Sequence, residues 1–167
     1  MKKNLFVFVL FVVGMVGNSY SQNYQVHTLY MYSFTKYIKW PESYSEGDFV
    51  IGVLGESEIV SHLKKMASLK KVGDRLIRVV EYSSIEEVNK CNMLFVSESI
   101  KDFDKVMKKM HGTSTLIVTE HEGLGKKGSA INFIIRQNKL LFELNQTAID
   151  QAGLLISQDL VKFAIMI

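Results

Sequence analysis

Cysteine, proline and tryptophan occur once each in 167 residues, and each scarcity excludes something. A single thiol, Cys91, rules out an intrachain disulfide, so packing must hold the fold. Cys91 sits just ahead of an apolar segment and is expected to be buried and inert, the alternative being a disulfide-linked dimer. The lone Pro41, with no low-complexity stretch around it, leaves no linker to divide the chain, and no internal repeat is visible. A large excess of one charge is also missing, with 20 basic against 17 acidic side chains. The pairs Lys64-Lys65, Lys70-Lys71, Lys108-Lys109 and Lys126-Lys127 are scattered among acids, as on solvated faces, so no nucleic-acid stripe is expected.

Long hydrophobic runs are confined to the N-terminus. Lys2 and Lys3 precede an apolar run over residues 5–13, extended to Val16 and followed by the small residues Ser19 and Ser21. The run is short of the roughly 20 residues that span a bilayer. It reads as a secretory signal over residues 1–21, cleaved after Ser21, with an uncleaved anchor as the alternative. The protein is therefore expected to be exported. Subtracting the two leader lysines from 20 leaves 18 bases against 17 acids, so the apparent basicity disappears. Residues 22–167 suffice for one domain with its own core.

Signatures of catalysis are missing too. His27, His62, His111 and His121 have no zinc-ligand spacing and no cysteine partner. There is no GxSxG elbow, and Cys91 has no histidine nearby in sequence. GLGKKGS, residues 123–129, imitates a phosphate loop, but Ser129 stands where GxxxxGK[ST] requires lysine and a strand follows. A turn with glycines at positive φ is the expectation. GVLGESE, residues 52–58, lacks GxGxxG and also reads as a turn. Glu86-Glu87 and Glu120 with Glu122 lie in polar stretches and are expected to be solvated. No catalytic residue, metal or cofactor is expected.

What is present is a regular alternation of two periodicities. Val26, Leu29, Tyr30, Ser33, Phe34 and Tyr37 fall at helical spacing, in a helix that stops before Pro41. Residues 49–54 form a continuous apolar run, a buried strand. Ile59, Val60, Leu63 and Met66 mark a helix, residues 76–82 a strand with a wetter face at Arg78 and Glu81, and residues 93–96 a third strand. Phe103, Val106, Met107 and Met110 stripe another helix, followed by a strand over 115–119. Residues 129–136 and 139–145, separated by Gln137 and Asn138, predict an antiparallel hairpin at the sheet's end. Asn145 or Thr147 can cap a short helix ending at Gly153, and Ser157 can cap the last one. The fold class is α/β: a single three-layer domain, its mixed, mostly parallel sheet ending in a C-terminal antiparallel hairpin, with helices on both faces.

Two stretches stand out as binding candidates. In YMYSFTKYIKWPE, residues 30–42, Tyr30, Phe34 and Tyr37 share one helical face, which core packing explains. Met31, Ile38 and Tyr24 form a second apolar line, and with Trp40 and Pro41 this side is expected to contact a second subunit or a partner. In LLFELN, alternation puts Leu140, Phe142 and Leu144 on one face and Leu141, Glu143 and Asn145 on the other. Glu143, Asn145 and Ser157 are candidates for a small polar cleft. The plainer reading is that Glu143 pairs with a lysine while Asn145 and Ser157 cap helices.

Four segments together resemble the YfiR-like family of exported bacterial proteins. YMYSFTKYIKWPE looks like its opening helix and Trp-Pro, and FVIGVLGES like its first strand and turn. GLGKKGSAINF is similar to its late glycine turn, with Ser129 where a second glycine is common. LLFELNQTAIDQAGLLISQDLVKFA looks like its closing strand and helices. The resemblance implies a regulatory protein that binds the periplasmic sensor domain of an inner-membrane diguanylate cyclase and represses cyclic-di-GMP synthesis. It also implies a tendency to form homodimers. Redox control through cysteine pairs is not carried over, because this chain lacks them. A sensor histidine kinase is an alternative receptor. A small-molecule carrier is disfavoured because one lobe is too few, and an enzyme with an unrecognised site is the remaining class.

Overall fold

A computed structural model describes residues 24–167; the leader expected over residues 1–21 lies outside the described residues. The chain begins with α1 (Tyr24–Tyr37), whose end runs into the short β1 (Ile38–Lys39) ahead of Pro41. Then follow β2 (Phe49–Leu54), α2 (Ile59–Leu69), β3 (Lys71–Val72), β4 (Arg75–Tyr82), β5 (Met93–Val96), α3 (Phe103–Met110) and β6 (Leu116–Thr119). The last third comprises β7 (Ile131–Arg136), β8 (Lys139–Leu144), α4 (Gln146–Gln151), β9 (Leu155–Ile156), α5 (Gln158–Val161) and β10 (Ile165–Met166). Local chemistry sets these boundaries. Gln137 and Asn138 adopt φ of 51° and 59°, the left-handed pair of a tight hairpin turn. The Asn145 side chain accepts from the Ala148 amide to cap α4, and Ser157 accepts from Asp159 to cap α5.

Eight strands form one sheet in the order β10-β8-β7-β6-β5-β2-β4-β3. From β4 across to β7 all neighbours are parallel, with α2 carrying the chain from β2 to β4 and α3 from β5 to β6. The β7–β8 hairpin is antiparallel and lies at the expected end. Two strands more are present in this sheet than the sequence pattern indicated: Ile165 and Met166 pair parallel to Glu143 and Leu144 beyond the hairpin, and Lys71 and Val72 pair antiparallel to β4 at the other edge. β1 and β9 make a separate two-stranded antiparallel ribbon.

Side-chain alternation divides the core into two layers. Phe49, Ile51, Val53, Met93, Phe95, Leu116 and Val118 face α1, α2, α4 and α5. Val50, Leu54, Leu94, Val96 and Ile117 face α3. Helices thus cover both faces of strands that are apolar throughout, the arrangement a parallel sheet needs.

On α1 the line expected to face a partner is buried, and it shares the core with Phe34 of the line expected to pack inward. Met31 is 0 % and Ile38 2 % exposed, inside the core, so neither offers a surface to a partner. The buried stripe is His27, Met31, Phe34 and Ile38, at helical spacing, while Leu29 is 60 % exposed and Tyr37 36 %. A helix apolar on every side does not declare its inner face, and tyrosine tolerates a rim position because its hydroxyl stays wet. Phe34 stacks on Phe133 and meets Phe142 edge-on, with Tyr30 at the border of the same cluster.

Trp40 and Pro41 serve the amino edge of the sheet. Trp40 packs edge-on against Phe49 and donates its indole N–H to the Asn92 carbonyl at 2.9 Å. The Asn92 side chain accepts from the Val50 amide and donates to the Tyr44 carbonyl. Arg75 reaches the same place, bonding the Gly47 and Asp48 carbonyls and Asn92 Oδ1. Pro41 opens a 3-10 turn over Glu42–Tyr44.

Candidate functional site

Open α/β sheets bind ligands at the carboxyl ends of their strands, where the strand order reverses. Here the reversal falls between β2 and β5, and that crevice is filled by the protein itself. Ser97 donates to the Glu56 carbonyl at 2.5 Å, and the Glu56 amide donates to Ser99 Oγ at 3.2 Å. Gly55, at φ 85°, packs so tightly that a Cβ would collide with the Ser99 hydroxyl. GVLGES is therefore a turn tied to its neighbour, as expected.

The open cleft lies one strand further along. β6 pairs with β7 only through Val118–Ile131 and Thr119–Asn132, so the remaining four residues of β7 project with β8 beyond the end of β6. Glu120, the first residue after β6, falls in the angle of this step. A cleft of about 330 Å³ opens there, walled by His27, Glu98, Glu120, Glu122, Arg136 and Glu143, with Phe133 contributing an apolar surface.

The expectation that Glu120 would be solvated fails, because its side chain is only 2 % exposed. Its Oε1 accepts from the Tyr24 hydroxyl at 3.1 Å. Its Oε2 is buried with no hydrogen-bond partner among the described residues, and lies 3.8 Å from His27 Nε2. That is too long for a hydrogen bond, yet near enough for an ion pair when His27 is protonated. Burial pushes the Glu120 carboxyl up from 4.5 to about 7; the Tyr24 hydrogen bond opposes this and the charge of Glu98 adds to it. Burial likewise pushes the Tyr24 phenol up to about 12, against a hydrogen bond from Ser57. His27 also packs edge-on against Phe133, with centroids 4.6 Å apart.

Beneath the cleft runs a satisfied polar network. Thr119 donates to Asn132 Oδ1 at 2.7 Å and lies 2.9 Å from Ser129 Oγ, which bonds the Ile131 carbonyl. Asn132 Nδ2 donates to Glu143 Oε2 at 2.8 Å. Asn145 Nδ2 donates to the Gly125 carbonyl. Asn145 thus anchors the glycine turn that sequence anticipated, with Gly123 and Gly128 at positive φ. Ser129 is fully buried within this network.

The candidates named from sequence therefore separate. Glu143 lines the cleft, and its partner is Asn132 instead of a lysine. Asn145 caps α4 beside it, whereas Ser157 caps α5 and bonds the end of α1 through its amide to the Tyr37 carbonyl. Met31 and Ile38 are core residues, and Trp40 and Pro41 belong to the amino edge. His27 and Glu120 were missed as members of a site. The available signal was position: Glu120 directly follows a wholly apolar parallel strand, the place where such sheets expose their chemistry. Among the described residues no cluster of histidine, cysteine or carboxylates could hold a metal ion. Nor is any described helix long and apolar enough to cross a membrane.

Comparison with known proteins agrees with this architecture. The family model described as YfiR/HmsC-like matches residues 24–165. No curated protein matches the chain. Among solved structures, the ABC domain in complex with L-Trp from Streptococcus pneumonia is similar, with a TM-score of 0.51 at 13% sequence identity. That match covers 70% of this chain and 54% of the other, so the chain spans about half the length of the structure it resembles, and the likeness is one of fold alone.

Proposed function

The chain belongs to the YfiR/HmsC-like family, and from that premise we propose that it is a periplasmic binding protein that represses an inner-membrane signalling receptor. The family is one of periplasmic regulators of cyclic-di-GMP signalling, not of enzymes. The receptor on this reading is a diguanylate cyclase, and the contact is made with its periplasmic sensor domain. A sensor histidine kinase is the alternative receptor. The observation that carries the reading is the family match over residues 24–165. The site is compatible with it: the cleft holds charged groups without a nucleophile and base in hydrogen-bonded register.

Repression has a thermodynamic requirement. The protein must bind the inactive receptor more tightly than the active one, since equal affinity shifts nothing. Moving a receptor from 1:99 to 99:1 takes roughly 10⁴-fold preference. A homodimer would suit a two-fold symmetric receptor. Glu143, on the cleft wall, is the sequence-named residue best placed to touch the partner, and Trp40 and Pro41 support folding. A small molecule in the 330 Å³ cleft is the second reading, favoured by its size and its position at the strand ends.

The test is retention of receptors from detergent-solubilised inner membrane by the tagged protein, with cellular cyclic-di-GMP measured alongside. Recovery of a cyclase with a periplasmic sensor, and a rise in cyclic-di-GMP on deleting the protein, is the expected result. Recovery of no membrane protein, with unchanged cyclic-di-GMP, would overturn it.

A further inference from the structure

Among the described residues, the buried polar side-chain atom left without a hydrogen-bond partner is Glu120 Oε2. Natural interiors seldom leave a carboxylate oxygen without a partner, because an unpaired buried charge is costly. Oε2 is sealed from solvent, so no molecule in the cleft can reach it. A proton is the ligand it can take. Around it stand Tyr24 and His27 from α1, Ser57 beside the Tyr24 hydroxyl, Glu98 after β5 and Glu122 after β6. Arg136 from β7 and Glu143 from β8 complete the charged groups of the cleft.

We infer that Tyr24, His27 and Glu120 form a proton-operated latch, which fastens the first turn of α1 to the end of β6 while the Glu120 carboxyl holds a proton and loosens when that proton leaves. The two residues lie three apart on one face of α1 and grip the same carboxyl group from the same side. With a proton on it, the Glu120 carboxyl carries no charge, and its burial beside Glu98 costs little. Without it, a buried carboxylate faces Glu98 with the Tyr24 hydroxyl as its hydrogen-bond donor, and separation of α1 lets water in to solvate the charge.

The direction follows from linkage. Burial raises the Glu120 carboxyl from 4.5 to about 7, so the folded form binds the proton more tightly than the unfolded one. That stabilisation is complete below 4.5 and is lost as pH rises through about 7. As a control on the cleft, the latch rests on the binding role proposed above, because Glu120 and His27 form part of its wall. Its own test needs no partner, so the two readings fail separately.

The experiment is hydrogen exchange of the α1 amides in the folded protein between pH 5 and pH 8.5, corrected for intrinsic rates. In the wild type, protection of the first hydrogen-bonded amides of α1, from Thr28 onward, should fall at least tenfold, out of the roughly hundredfold that two pH units of linkage allow. In Glu120→Gln it should stay level. Tyr24→Phe keeps the ring but removes a hydrogen bond that favours the charged carboxylate, so its transition should move to higher pH. A purely structural hydroxyl would leave the midpoint in place, which keeps the test usable if Glu120→Gln folds poorly. Parallel pH profiles in wild type and Glu120→Gln, or an unmoved midpoint in Tyr24→Phe, would overturn the latch.

Discussion

Asn92→Ala should be among the most destabilising polar substitutions in the chain. Asn92 is buried at the start of β5, and its side chain closes the amino edge of the sheet. Oδ1 accepts from the Val50 amide at 3.0 Å, which β5 cannot do with its own backbone because its pairing with β2 begins at Ile51–Met93. Nδ2 donates to the Tyr44 carbonyl at 2.8 Å. Truncation strands the Val50 N–H, a loss of about 1–3 kcal/mol for a buried donor, and removes a second bond of about 1 kcal/mol. Arg75 keeps its bonds to the Gly47 and Asp48 carbonyls and contributes little to the difference. The expected loss is therefore about 3 kcal/mol. Urea unfolding followed by Trp40 fluorescence measures it, since the only tryptophan donates its N–H to the Asn92 carbonyl. If Asn92→Ala unfolds within 0.5 kcal/mol of wild type at unchanged slope, the account of this edge is wrong.

Two further outcomes follow from the same packing. Met31→Ala should cost about 2–5 kcal/mol, and a charged residue at Met31 should prevent folding, because the side chain has no exposed surface; calorimetry of both variants checks this, and a stable Met31→Lys protein would count against it. Burial pushes the Cys91 thiol up from 9.0 to about 11, so below pH 8 a thiol reagent should label it only as fast as the protein opens, with the rate rising steeply in urea; rapid labelling in native buffer would contradict its burial.

Strand and helix positions were legible because apolar periodicity reports them directly. Residues 49–54 and 93–96 occupy strands with those bounds, and the Gln137-Asn138 hairpin adopts its expected turn. The buried stripe of α1 was not legible, since Tyr30, Met31, Phe34, Tyr37 and Ile38 are all apolar enough to face inward. Tertiary contact with Phe133 and Phe142 decides the matter. β1, β3, β9 and β10 are two residues each and too short for any periodicity. Strand order lies in long-range pairing, which no local pattern encodes. Glu120 escaped because charge next to His121 and Glu122 in sequence reads as a solvated turn, and only the early end of β6 beside the longer β7 draws it inside.

The two ends of the sheet treat their polar groups differently, and the contrast locates function. At the amino edge, Trp40, Asn92 and Arg75 satisfy one another and the adjacent carbonyls, an arrangement that does nothing but hold loops down. At the carboxyl edge, the switch-point crevice is closed by Ser97 and Ser99, while the step at β6 leaves a cleft whose deepest carboxyl lacks a full set of partners. Had stability alone shaped this end, an amide or an apolar side chain at Glu120 would serve better, because it carries no charge to bury. A titrating carboxyl retained against that cost, in contact with the first turn of the first helix, is what couples the protonation of a cleft wall to the placement of an element. Such coupling would let the repressor role proposed above favour one state of a receptor over another.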